Sequence, residues 1–216
     1  AQHFSDLFNF ATLPFYWWGE SENPKRNDKN WRERVIEWCK ENQIILKGHT
    51  LAWNWKDPGW LPNDPDMAYD LQMARIEKIV NQYKDDILIW DVVNEATAYD
   101  RQFPRKNAPI LTAAIDQMGV DQYLIDAFQA ARRRNQNAEL IINDFKTGRK
   151  FKTTVLEPMV IGDFPLFDVI GIQSHMHNGY WGSDRIWTLC EKFKEFGRPI
   201  HFTEISIVSG QKSGEK

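Results

Sequence analysis

Cysteine is scarce: two residues, Cys39 and Cys190, in a chain of 216. Two thiols cannot staple a disulfide scaffold, so the fold must rest on a hydrophobic core, and this length suffices for one domain with a sizeable one. Both cysteines fall in amphipathic helical patterns and read as buried free thiols; a disulfide between them stays open, and neither fixes a redox compartment. Long apolar runs are also missing. None approaches the roughly 20 residues that span a bilayer, and no leader pattern opens the chain, whose first residue reads as a mature or trimmed end. Positive charge is not concentrated: the net charge is −3, and the one basic triplet, Arg132-Arg133-Arg134, sits on a helical pattern as a solvated face. Neither nucleic acid nor a membrane is implied as a partner. There is no Gly-x-Gly-x-x-Gly or Walker sequence, which removes the usual nucleotide chemistry of a doubly wound sheet. His175-Met176-His177 has no third ligand at convincing spacing, so no metal is expected, and no cofactor either.

Tryptophan, by contrast, is plentiful, with 10 residues in an aromatic fraction of 13%. Trp31, Trp38 and Trp187 lie at helical spacing and read as core. Trp17, Trp18, Tyr180 and Trp181 follow strand-like runs, where packing and stacking against the apolar face of a sugar are both open.

Apolar periodicity sets strands at 7–13, 44–53 (interrupted at Gly48), 87–94, 140–143, 169–174 and 200–205. Helices are predicted at 28–42, 64–83, 111–118, 120–135, part of 150–161, and 183–196, with Asp28 and Asp64 as caps, Pro65 at a first helical position and Gly197 as a stop. Residues 19–29 read as a loop and 209–216 as a frayed tail. The connection 96–119 is long enough to suggest a functional loop. Strict strand–helix alternation without a composition shift gives a single α/β domain, 1–216, built on a parallel sheet.

Two stretches carry the chemistry. Ile-Leu-Ile-Trp-Asp-Val-Val-Asn-Glu at 87–95 is an apolar run that ends in Asn94 and Glu95, and Ile-His-Phe-Thr-Glu-Ile-Ser at 200–206 carries Glu204. Two carboxylates on the ends of separate strands are the minimum equipment of a glycosidase. Polar residues close the other strands too: His49, Asp144 and His175. A ring of polar strand ends is the product of a (β/α)8 TIM-barrel type of fold, here incomplete with about six strands.

These residues resemble the motifs of glycoside hydrolase family 10, the endo-1,4-β-xylanases. Lys47-Gly48-His49-Thr50-Leu51-Ala52-Trp53 resembles the family's third-strand motif, Trp90-Asp91-Val92-Val93-Asn94-Glu95 the fourth, and Ile142-Asn143-Asp144 the fifth. Gly171-Ile172-Gln173-Ser174-His175 resembles the sixth and Thr203-Glu204-Ile205 the seventh, in order over about residues 7–208. The resemblance implies a retaining endo-acting hydrolase of β-1,4-xylan. Glu95 would be the acid/base and Glu204 the nucleophile, with Asn94 on the sugar 2-hydroxyl, His175 orienting Glu204, Gln173 beside the pair, and His49 and Trp53 lining the subsite before the cleaved bond. Such a pair stands about 5–5.5 Å apart, one carboxyl protonated and one ionised.

The sequence departs from the family in three places. The usual Glu, Asn and Lys after the second strand are replaced by Thr12-Leu13-Pro14-Phe15-Tyr16-Trp17-Trp18, the residue after Trp53 is Asn54 rather than His, and Ser206 stands where an Asp partners the histidine. The family's first and eighth strands have no counterpart, which leaves two open edges expected to pair between molecules, and a Glu204 strand without its neighbour, hence a weak catalyst. A related β-glycanase of altered specificity and a non-catalytic carbohydrate-binding remnant are the alternative readings. Because polymeric glycan stays outside the cell, a secreted or cell-surface location follows from the function.

Overall fold

Residues 2–20 and 29–208 are described by the computed structural model. Six strands, β1 (Phe10–Pro14), β2 (Ile45–Ala52), β3 (Ile89–Asn94), β4 (Glu139–Asp144), β5 (Val169–Met176) and β6 (Ile200–Ile207), form one parallel sheet in chain order. It curls into part of a barrel. Each crossover carries helix: α1 (Lys29–Glu41), α2 (Pro65–Gln82), then α3 (Gln102–Asn107), α4 (Pro109–Met118) and α5 (Val120–Arg134) in succession, and α6 (Ser183–Phe193) before β6. The inner strands are covered on both faces, so their sequences run apolar instead of alternating; β2 is buried from Leu46 to Ala52 and β5 from Val169 to Ser174. β1 and β6 are the edges, and among the described residues no strand pairs with their outer sides. Ile205 and Ile207 on β6 are accordingly exposed.

The caps and punctuation residues behave as physics requires. Asp64 accepts from the backbone N–H groups of Asp66 and Met67 at 3.0 and 3.1 Å, and Pro65 starts α2. Asp28 lies outside the described residues, as does the tail from 209. Gly48 does not interrupt β2. It faces Trp90 across the β2–β3 register, and an added Cβ would come within 2.1 Å of the indole. The glycine is the gap that the wholly buried Trp90 fills.

Other expectations are corrected. The first strand starts at Phe10, not 7, with a short helix at Gln2–Ser5 before it. The connection after β3 is largely helical. A 3₁₀ turn at Ala96–Ala98 and α3 precede α4, whose first turn is capped by Asp57 from the loop after β2 through the N–H groups of Ile110 and Leu111. Residues 149–159 form a helix that loosens into a π turn, and a two-stranded hairpin, Val160–Ile161 with Phe164–Pro165, follows it. Trp187 is 69% exposed, because Leu189 and Phe193 take the core face of α6. The arginine triplet lies on the solvated face as expected, with Arg133 and Arg134 exposed and both paired with Glu77; Arg132 is half-buried and pairs with Asp168. Cys39 and Cys190 are free thiols as expected, but only Cys39 is buried; Cys190 is half-buried.

The packing at Gly48 yields a measurable expectation. Gly48→Ala should destabilise the fold by about 1–3 kcal/mol, since a rigid buried ring cannot yield to the methyl group. Gly59→Ala, with nothing within 4 Å, should cost less. Urea unfolding of the two variants measures the difference; equal midpoints would contradict the account.

Candidate active site

The carboxyl ends of β3, β4, β5 and β6 converge on one network of amides and acids. Asn143, wholly buried at the end of β4, is its centre. Its amide nitrogen donates to Asn94 Oδ1 at 2.9 Å and to Glu204 Oε1 at 3.1 Å, while its Oδ1 accepts from the Thr203 hydroxyl at 2.5 Å. β4 and β6 are not neighbours; β5 lies between them. Gly171 on β5 makes the reach possible, since a Cβ there would stand 2.8 Å from Asn143 Oδ1 and 3.0 Å from Thr203 Cγ2. Gln173, two residues further along β5, donates to Asn94 Oδ1 at 3.0 Å and more weakly to Glu95 Oε1 at 3.4 Å.

Glu95 leaves β3 in the left-handed region, φ 58° and ψ 37°, with its N–H donating to Asn143 O at 2.9 Å. A non-glycine residue held there costs on the order of 1 kcal/mol and persists only where its surroundings impose it. Arg101 donates to Glu95 Oε2 at 2.8 Å, and its guanidinium lies 4.7 Å from the centre of the Phe145 ring. Burial raises the Glu95 carboxyl above the usual range; Arg101 and the Gln173 amide oppose the rise, and the charges of Asp144 and Glu204 add to it. Asp144 itself is tied into the strand end. It accepts from the Thr97 N–H and hydroxyl and from the Lys146 N–H, and so pins the turn that follows Glu95.

Glu204 is held from the other side. His175 Nε2 donates to its Oε2 at 3.1 Å, and its backbone carbonyl accepts from the Ser174 hydroxyl at 2.6 Å. The arrangement thus brings together two carboxyls, each with two side-chain donors, of which burial raises that of Glu95 above the usual range.

Beside the pair, His49 Nδ1 stands 2.7 Å from Asp91 Oδ2, which also takes Lys47 Nζ at 2.7 Å. An aromatic wall continues from His49. Tyr16 meets its ring edge-on at 5.8 Å and stacks on Trp18 at 4.6 Å and 11°, Trp18 meets Trp53 at 5.6 Å, and Trp53, Trp55 and Phe103 follow in contact. The Tyr16 hydroxyl pKa is raised by burial, then by the charges of Glu204 and Asp91. Arg75, buried under the wall, ties its base together by donating to Phe15 O, Leu51 O and Glu20.

Most of the residues selected from the sequence therefore meet, in two groups: Glu95, Glu204, Asn94, Gln173 and His175 in the acid network, and His49, Trp53 and Trp18 in the aromatic wall. Three do not. Trp17 is 5% exposed in a small core with Leu61, Ala68, Ala108 and Leu111, so its faces are taken by protein. Trp181 is buried as well, with the Arg185 guanidinium 4.2 Å from its ring centre. Tyr180 is exposed, and among the described residues no ring or hydrogen-bond contact ties it to the others. Sequence reasoning passed over Asn143, Arg101 and Tyr16. Asn143 was visible as a polar strand end; Arg101 lies in a loop whose helical folding carried no signal.

A parallel β/α barrel segment with paired acids at its strand ends defines the broad class. Residues 18–216 match Glycosyl hydrolase family 10, and the chain belongs to that family. It is 26% identical to an endo-1,4-beta-xylanase/feruloyl esterase of Xylanibacter ruminicola over 96% of this chain and 31% of that protein. It is 29% identical to endo-1,4-beta-xylanase A of Caldicellulosiruptor saccharolyticus over 95% of this chain and 61% of that one. Native xylanase 10B of Thermotoga maritima superposes with a TM-score of 0.74 and 25% identity, covering 98% of this chain and 68% of that structure. The chain thus spans less than two thirds of these curated relatives, a partial family 10 domain.

The Glu95–Arg101 pair generates a prediction of definite sign. Removing the cation leaves only the Gln173 amide against burial and the neighbouring acids, so in Arg101→Gln the Glu95 carboxyl should titrate at higher pH than in the parent. Carbon-13 NMR of the side-chain carboxyl reads the midpoint. An unchanged or lower midpoint would show that the ion pair does not govern this acid.

Proposed function

We propose that this chain carries the catalytic centre of a retaining, endo-acting β-1,4-xylan hydrolase. The observation that carries the reading is the meeting of two acids in one network: burial raises the Glu95 carboxyl above the usual range although Arg101 and Gln173 donate to it, and Glu204 accepts from Asn143 and His175. Glu95 protonates the departing glycosidic oxygen while Glu204 attacks the anomeric carbon, giving a covalent glycosyl-enzyme. Esterified Glu204 no longer carries charge, so Glu95 can lose its proton and serve as the base that activates water. Asn94 takes the 2-hydroxyl of the sugar joined to Glu204. His49, Trp53, Trp18 and Tyr16 form the wall for the sugars before the cleaved bond, the apolar sugar face lying on the rings. The named activities of the relatives point to the same substrate, and a polymer of that kind places the enzyme outside the cell or on its surface. Among the described residues β1 and β6 have no partner on their outer sides, which favours self-association.

One observation favours a related β-glycanase specificity as the second reading. The stacked Tyr16–Trp18 pair stands where family members carry hydrogen-bonding side chains, so stacking would replace polar recognition of the distal sugar. Turnover of xylan against cellulose and mixed-linkage glucan separates the two.

Two substitutions test the roles. Glu204→Gln should reduce hydrolysis to background without lowering the unfolding midpoint by more than the loss of its two hydrogen bonds. Glu95→Ala should slow xylan cleavage by about 10²–10⁴-fold, yet leave bond cleavage of aryl glycosides with good leaving groups near the parent rate, because only a poor leaving group needs the acid. Equal losses on both substrates would remove Glu95 from the acid role.

A further inference from the structure

We propose that Ser206 and His177 form an outer support for the Glu204 carboxylate, a chain Glu204–His175–Ser206–His177 in which His177 is a positioning residue acting through Ser206. The significance for turnover rests on the function proposed above; the chain itself rests on geometry. His175 Nε2 lies 3.1 Å from Glu204 Oε2, His175 Nδ1 lies 2.9 Å from Ser206 Oγ, and Ser206 Oγ lies 2.9 Å from His177 Nε2. The imidazoles stack with centres 5.3 Å apart and planes 15° apart. Strand pairing produces this arrangement. His175 and Ser206 are partners in the parallel register of β5 and β6, and side chains two residues apart share a face. His177, in the turn just past β5, stacks on His175 and so reaches Ser206 from the same side.

The sense of the chain follows from what each atom can do. An ionised carboxylate only accepts, so His175 Nε2 carries a proton and donates. In the neutral ring Nδ1 is then an acceptor, and the only hydrogen Ser206 can offer goes there. With its proton committed, Ser206 Oγ accepts, and His177 Nε2–H supplies the donor. Each of the three contacts thus has one donor and one acceptor, all running in one direction. Without His177 the hydroxyl is a free rotor that water can draw away from His175, and the ring that aims at Glu204 loses its stop. A carboxylate at position 206 would behave differently: it would accept directly from a protonated Nδ1 and would need no second imidazole.

That contrast supplies the experiment. In the 216-residue chain, NMR exchange of the His175 Nε2 proton with water should accelerate about three- to tenfold in His177→Ala, the range set by one net hydrogen bond. His177→Gln, which keeps an N–H donor, should recover part of the protection. In a Ser206→Asp background, His177→Ala should change nothing. On an aryl xyloside, His177→Ala should lower kcat by about the same factor with KM within about twofold, again only when Ser206 is present. An unchanged His175 proton in His177→Ala, or an effect of the same size in the Ser206→Asp background, would overturn the chain. A parent protein without glycosidase activity would remove the proposed function and leave the exchange measurement to decide the chain.

Discussion

The structure depends on one side chain having three partners in a place where water cannot supply them. Asn143 is fully buried, so each polar atom of its amide must find protein. It finds β3 through Asn94, and β6 through Thr203 and Glu204. The backbone ladder fixes neighbouring strands only; a bond from β4 to β6 fixes the curvature across β5. Gly171 is the condition for that bond, because any side chain there would occupy the path. The curl of the sheet and the placement of the two acids are therefore a single constraint. A flatter sheet would leave Asn143 with an unmatched amide at a cost of about 1–3 kcal/mol per lost partner.

Burial and charge work against each other at Glu95, and the structure uses both. Desolvation alone favours a neutral carboxyl; Arg101 restrains that tendency. The cation is itself held against Phe145, at the end of the strand that carries Asn143, and the turn after Glu95 is pinned by Asp144 from the same strand end. Asn143, Asp144 and Phe145 thus serve three parts of one site: the amide bridge, the turn, and the ring under the arginine. Three consecutive residues can do so because successive residues at a strand end point in different directions.

The parallel sheet was legible because its inner strands are buried on both faces and read as apolar runs ending in polar residues, as at 87–95. Helices with a polar cap, such as Asp64 before α2, were legible for the same local reason. What the sequence withheld were features decided by tertiary contact. Gly48 reads as a break until Trp90 is known to need the space. Arg101 reads as a loop residue until α3 and the 3₁₀ turn bring it back to Glu95. Trp17 and Trp18 are adjacent in sequence and indistinguishable by composition, yet one is sealed against Leu61 and Leu111 while the other joins the aromatic wall. A turn sends successive rings to different sides, and no periodicity announces which goes inward.

The position of Glu204 on an edge strand bears on how much of the site this stretch of chain can organise. Every side chain that hydrogen-bonds its carboxylate comes from the inner side: Asn143 from β4 and His175 from β5, with Ser174 fixing its carbonyl. The outer side of β6 contributes no side-chain partner to that carboxylate among the described residues. Its relation to Glu95 is therefore set within β3 to β6, by bonds that do not need the neighbouring edge. A covering strand would add rigidity to β6 and shield Ile205 and Ile207 from water. The consequence is a division of labour along the sheet, in which the acids are aligned from the buried interior, while the lifetime of that alignment is governed by how firmly the edge strand is held.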